Sequence, residues 1–340
     1  MNRRTAAEGK AHEQRQNQLR KFQRRMRNQN PDACLIPWKP GEPQETNILQ
    51  GCHIISRGAY LQHIAENHHV MHWWFDPKRI LESLERSEMA AIETLEPSHI
   101  PIRTCTTRYA CNWHDHKLFE AIDAGRLDVD YGKHLFLLGF RAMAGSMAAW
   151  QAPISFVEQS QPGRSELTQR LIDQAKSSLS RAEAILGQWQ KAYSQGEYER
   201  ICAYHVRAKC SLRCAGTSVV DIGTNDLGTL TLLPRVCDEK LTGNYDIIVV
   251  SLRKSWWDPI GRLLQMGTLK RTAATLKVMM ETNPASGLEW MAKNMNHVAV
   301  NPADYQNENL ISLSQRNRIE QAAASQINTR LNGILKSNNP

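Results

Sequence analysis

Cys111 and His114 stand three positions apart in Tyr109-Ala110-Cys111-Asn112-Trp113-His114-Asp115-His116, and two intervening residues let a thiolate and an imidazole turn onto one ion. That pair is one half of a tetrahedral zinc knuckle. Nine of the twelve histidines, His53, His63, His68, His69, His72, His99, His114, His116 and His134, fall between positions 53 and 134, alongside Cys34, Cys52, Cys105 and Cys111. Cys34 with one further ligand, Cys52 or Cys105, would supply the other half. In a reducing cytosol such thiols ligate metal rather than pair as disulfides. The same residues also permit a histidine-rich surface with ordinary hydrogen bonds. Cys202, Cys210, Cys214 and Cys237 sit among strand-forming apolar residues and read as buried free thiols.

Charge carries a second signal. The formal net charge is +8, and residues 1–30 account for +7 of it, with Arg3, Arg4, Lys10, Arg15, Arg20, Lys21, Arg24, Arg25 and Arg27 against Glu8 and Glu13. A basic arm rich in Gln and Asn suits a polyanion, because each phosphate it neutralises releases counterions; alone, it is a solvated and partly helical tail. Arg57 and Arg108 have the planar guanidinium that pairs bidentately with phosphate, although exposed arginines without that duty are as common. Trp73 and Trp74 suit base stacking or, followed by Phe75, a hydrophobic anchor. No apolar run approaches the roughly 20 residues of a spanning helix. The polar start lacks the apolar centre of a secretory leader. The expectation is a cytoplasmic protein without membrane insertion.

The elements that must position these groups are legible in outline. Pro31, Pro37, Pro40, Gly41 and Pro43 close the arm. Residues 48–55 alternate as a strand ending on a Ser56–Gly58 turn, and Tyr60, Leu61 and Ile64 have helical spacing over 59–67. Pro77 opens a helix through Leu81, Leu84 and Met89, and Pro97 and Pro101 end that section. A buried helix is expected over 131–150, and one or two long helices over 165–209. Residues 211–222, 228–236 and 245–252 read as an antiparallel meander, and helices return over 259–280 and 310–335. The division expected is an arm (1–30), a site-bearing domain (31–150), and a helical plus antiparallel β domain (151–340) that regulates the site or binds a partner.

Cys34, then Cys52-His53-Ile54-Ile55-Ser56-Arg57 with Leu61 and Ile64-Ala65-Glu66 behind it, then Cys111 through Phe119, resembles bacterial HNH (ββα-metal) endonuclease-like proteins, many associated with anti-phage defence. The resemblance covers about residues 34–150. It implies an α+β fold: an N-terminal ββα-metal module, then a helical region and a small antiparallel sheet with flanking helices. It further implies His53 as the general base toward water and Asp115 as a helix ligand to a catalytic Mg²⁺ or Mn²⁺. His116 is the alternative ligand. Structural Zn²⁺ would rest on Cys34, Cys111 and His114, with the fourth ligand open. Cys52 stands where a second ligand to the catalytic ion is expected, and a thiolate is a poor partner for a hard cation. The 61 residues between His53 and Asp115 exceed the compact motif and imply an insertion over 73–102; Thr106, Thr107 or Asn112 would replace its middle Asn. The activity implied is nicking or cleavage of DNA, RNA not excluded, with other defence proteins as partners. The alternative is a zinc-stabilised nucleic-acid-binding or scaffold protein with a degenerate motif.

Overall fold

His69–Trp73 (β1) and Ser98–Pro101 (β2) form an antiparallel pair that continues a sheet built mostly from later residues. The later strands are Ile201–Lys209 (β3), Cys214–Asp221 (β4), Leu227–Cys237 (β5), Lys240–Leu252 (β6) and His297–Val300 (β7). Every pairing is antiparallel, in the order β2-β1-β7-β4-β5-β6-β3. This computed structural model describes residues 34–43, 49, 51–73, 97–123, 127–160, 166–222, 226–253 and 259–336. The basic arm, with Arg20, Lys21, Arg24, Arg25 and Arg27, and the helix expected from Pro77 to Met89 lie outside the described residues.

Helices Gly132–Ser160 (α1), Glu166–Ser194 (α2), Pro259–Thr282 (α3), Pro284–Asn294 (α4), Pro302–Gln306 (α5) and Leu313–Lys336 (α6) complete the elements that matter here. Alternate residues of the sheet feed two separate cores. Ile248, Val250, Leu252 and Ala299 pack with Phe136, Phe140 and Met143 of α1 and with Trp189 and Tyr193 of α2. Ile247, Val249, Val298 and Val300 pack with Leu269 and Leu276 of α3, Leu288 and Met291 of α4, and Ile319 of α6. Because a strand turns successive side chains to opposite faces, both faces of the sheet are covered by helices. This explains the unbroken burial of residues 228–234 in β5 and 247–252 in β6, where a one-sided sheet would alternate.

The fold is therefore α+β with flanking helices, and its antiparallel sheet is larger than expected. Two of its strands precede residue 150, which itself falls inside α1. Residues 201–209, expected as the end of a helix, are instead the edge strand β3, paired along its length with β6. The helix stops because Gly196 takes φ +71°, a conformation open to glycine, and Glu197 N–H turns back to the Ala192 carbonyl. The strand expected over 48–55 is, among the described residues, a single bridge of Cys52 to Thr107; Arg57–Leu61 then forms a π-helical turn, capped by the Ser56 hydroxyl and continued by Gln62–Ile64. Neither two paired strands nor a hairpin of the compact ββα type is present there among the described residues.

Helix α1 lies very close to its neighbours. A Cβ at Gly139 would come within 2.6 Å of the Trp189 ring and 3.2 Å of the Thr229 hydroxyl, and one at Gly145 within 2.5 Å of Ile54. Gly139→Val is expected to destabilise the protein by about 1–3 kcal/mol through overpacking. A urea midpoint equal to that of the wild type would show that the interface is looser than described.

Candidate metal centre and the His53 site

The backbone brings the two ends of the Cys/His-rich stretch together before any ligand is considered. Leu35 N–H donates to the Tyr109 carbonyl, Leu49 N–H to Ala110, and Cys52 and Thr107 exchange both of their backbone hydrogen bonds. A helical turn starts directly after Cys111 and runs through His114–Leu118. It carries His114 and Asp115 inward and leaves His116 exposed.

Cys34, Cys111 and His114 place one ligand atom each within 4.8 Å of one another. His114 Nδ1 stands 3.3 Å from Cys34 Sγ and 3.2 Å from Cys111 Sγ. Bonds of about 2.3 Å to sulfur and 2.0 Å to nitrogen around a tetrahedral zinc put S and N roughly 3.5 Å apart, so the donor set and its spacing fit this ion. Burial pushes the Cys34 thiol upward in pKa, and the neighbouring Cys111 sulfur adds to the rise. A cation there would reverse the balance by stabilising the thiolates. No fourth protein ligand joins the three among the described residues. Cys52 is buried, and its thiol points to the Ala110 carbonyl at 3.4 Å. Cys52 and Cys105, the candidates for the open fourth position, thus lie outside the cluster among the described residues, and His116, the alternative to Asp115, is exposed. The centre is sheltered by rings: Trp38 lies 4.4 Å and Trp113 5.2 Å from the His114 centroid.

A different group surrounds Asp115. Arg141, from the buried face of α1, is 3% exposed. Its Nη1 and Nη2 donate to Asp123 at 2.6 and 3.0 Å, its Nε donates to the Tyr109 hydroxyl at 3.1 Å, and its Nη2 stands 3.8 Å from Asp115 Oδ1. The Tyr109 hydroxyl lies 3.5 Å from the same Asp115 oxygen and 3.4 Å from the His53 carbonyl. Burial raises the Asp115 pKa, with Arg141 opposing. A divalent ion of this kind is held by several oxygen ligands converging on one point. Here Asp123 is taken up bidentately and Asp115 faces the same guanidinium. Among the described residues Asp115 joins no group of three or more potential ligands, so nothing in this arrangement supports the Mg²⁺ or Mn²⁺ expected there.

His53 is half-buried, and its Nδ1 lies 3.2 Å from the Cys105 carbonyl. A carbonyl only accepts, so Nδ1 carries the proton and Nε2 is left with its lone pair. Burial, reinforced by Arg141, lowers the pKa of this imidazole to about 4. Arg57 is exposed and Arg108 half-buried; Asn112 is exposed, and Thr107 is the bridge partner of Cys52. Trp73 is core, edge-on to Tyr305 at 5.4 Å, as the anchor reading expects. His72, buried in β1, is also lowered to about 4 by burial.

Four residues that the geometry makes central were not foreseen: Glu42, Tyr109, Asp123 and Arg141. The one available signal was Arg141, a charge set inside the apolar run of α1. Comparison with family models, with curated proteins and with solved structures yields no match for the chain.

Arg141→Met leaves two carboxylates without their cation and is expected to cost about 3–5 kcal/mol, part of it recovered by adding Asp123→Asn. Equal stability of Arg141→Met and wild type in urea would refute the stabilising role of Arg141 among these carboxylates. The buried histidines set a pH dependence. Both stay neutral in the folded chain, whereas an unfolded imidazole titrates near ~6.5. The stability they contribute is present above that pH and is lost as the pH falls toward 4. His72→Met is expected to lose less stability than wild type between pH 7 and 4.5; parallel declines in the two proteins would rule out the contribution of His72.

Proposed function

We propose that this chain is a zinc-stabilised nucleic-acid-binding protein whose HNH-like site has exchanged its catalytic divalent ion for the guanidinium of Arg141. The observation that carries this reading is Arg141 itself, a buried cation that pairs with Asp123 and faces Asp115, where the resemblance leads one to expect a divalent ion. Cys34, Cys111 and His114 would hold zinc, whose chemistry there is structural: it ties the loop beginning at Cys34 to the turn following Cys111. The basic arm supplies the affinity for phosphate. DNA is the first expected partner, and the same charges would accept RNA. A role beside other defence proteins follows from the family resemblance alone. Among the described residues no helix is long and apolar enough to cross a membrane.

Hydrolysis of phosphodiester bonds is the second reading, and one observation favours it: the Nδ1–H of His53 is held by the Cys105 carbonyl, which leaves Nε2 free in tautomer to accept a proton from water. One experiment separates the two. Full-length protein is titrated against labelled DNA and RNA over a range of salt, then incubated with supercoiled plasmid in Mg²⁺, Mn²⁺ and Zn²⁺. Binding that weakens steeply with salt, falls on deletion of residues 1–30 and is accompanied by no cleavage is the expected result. Nicking that needs a divalent ion and disappears in His53→Ala would instead establish the hydrolase.

A further inference from the structure

His114 offers only one of its ring nitrogens to the two sulfurs. Nδ1 faces Cys34 and Cys111, while Nε2, on the opposite side of the ring, stands 3.5 Å from Glu42 Oε2. Glu42 therefore cannot reach the point that the three donors share, and the fourth ligand is not this carboxylate. It is placed to do something else. An imidazole that ligates through Nδ1 is neutral and keeps its proton on Nε2, where a carboxylate acceptor fixes the tautomer, orients the ring and raises the basicity of the ligating nitrogen.

Glu42 is itself held from three sides. Lys39 N–H donates to Oε2 at 2.8 Å, and Glu42 N–H returns to the Lys39 carbonyl at 3.1 Å, closing a turn in the loop that begins at Cys34. The Tyr193 hydroxyl, near the end of α2, donates to Oε1 at 2.8 Å. Lys39 Nζ lies 3.9 Å from the centre of the same Tyr193 ring and donates to the Tyr198 hydroxyl at 2.6 Å. The carboxylate is 13% exposed and the His114 side chain fully buried. The contact is thus shielded from water and screened little by salt.

We propose that Glu42 is the outer-sphere anchor of the Cys34–Cys111–His114 centre, a positioning residue that sets its zinc affinity and, through Tyr193, ties metal binding to the docking of α2. This rests on the zinc reading of that cluster. One nitrogen is turned to the sulfurs and the other toward a fixed carboxylate at 3.5 Å, an ion-pair distance that a loaded centre would shorten to a hydrogen bond. Tyr193 adds a second hydrogen bond that keeps the carboxylate from rotating away.

The test uses the full-length protein. Zinc affinity is measured by competition with a chromogenic chelator, and ligand identity from the thiolate-to-metal charge-transfer band of the Co²⁺-substituted protein. Wild type is expected to bind one zinc. Glu42→Ala should bind about 10–100-fold more weakly, and Glu42→Gln, which keeps the shape and a neutral acceptor, should fall between the two. Tyr193→Phe should weaken binding less than Glu42→Ala. Circular dichroism confirms folding, and Glu42→Gln decides the matter if Glu42→Ala is unfolded. Wild-type zinc affinity in a folded Glu42 variant overturns the role of Glu42. Absence of zinc binding and of the cobalt band in wild type overturns the zinc reading beneath it.

Discussion

A guanidinium withdrawn from water must be met by acceptors from wherever the chain can bring them, and Arg141 imposes that condition at the middle of α1. Tyr109 comes from the segment bridged to Cys52, Asp115 from the turn after Cys111, and Asp123 from the end of that turn. Removing one partner of a buried charge leaves a penalty of about 3–5 kcal/mol. The register between α1 and residues 109–123 is therefore set by electrostatics as much as by packing. Phe119 and Gly145 add steric limits: Arg141 lies over the Phe119 ring, and Ile54 fills the space a side chain at Gly145 would need. The Cys/His-rich stretch is thus clamped onto α1 from within.

Its outer end is clamped to α2. Gln190 and Tyr193 of α2 donate to the Leu35 carbonyl and to Glu42, and Lys39 donates to Tyr198 just past the helix end, so that the short loop after Cys34 is held at three points. The later half of the chain reaches back as well. Asn301 Nδ2 donates to the Ile64 carbonyl while its Oδ1 accepts from Arg213, and Arg213 also pairs with Asp304. Strand β7 inserts between β1 and β4. These links run through hydrogen bonds of the sheet and through buried polar groups, so the site and the C-terminal elements share one set of structural constraints.

How much of this could be read from residues alone depended on range. Strands β4 to β6 and the long helices show local periodicity, and the Cys111–His114 spacing is a local signature. Both were legible. Strand β1 was not, because its five residues acquire a partner only from β2, which begins at Ser98, and from β7, more than two hundred positions away. Strand β3 continued an amphipathic pattern without an apolar break, and only Gly196 marked the change. For the site, the three residues that assemble were among those anticipated, but Glu42 and Asp123 are ordinary acids whose meaning lies in what faces them. Arg141 was visible as an anomaly, a charge within Leu135 to Phe140 and the apolar residues after it, although its partners were not.

Cys52 gains a physical interpretation from this frame. Burial together with the nearby negative charge of Asp115 pushes its thiol up to about 12, so at neutral pH it is a neutral donor to the Ala110 carbonyl. Its thiol is turned to that carbonyl and stands apart from the donors of Cys34, Cys111 and His114. Were a dication held at Asp115, the local field would favour thiolate at Cys52 and would oppose the guanidinium beside it. With Arg141 in place, one guanidinium faces two carboxylates and helps to keep His53 neutral, while burial and Asp115 keep Cys52 protonated against the opposing charge of Arg141. Cysteine at position 52 is thus consistent with its surroundings: a small, largely apolar side chain with one weak donor suits a buried position beside Asp115 and Arg141.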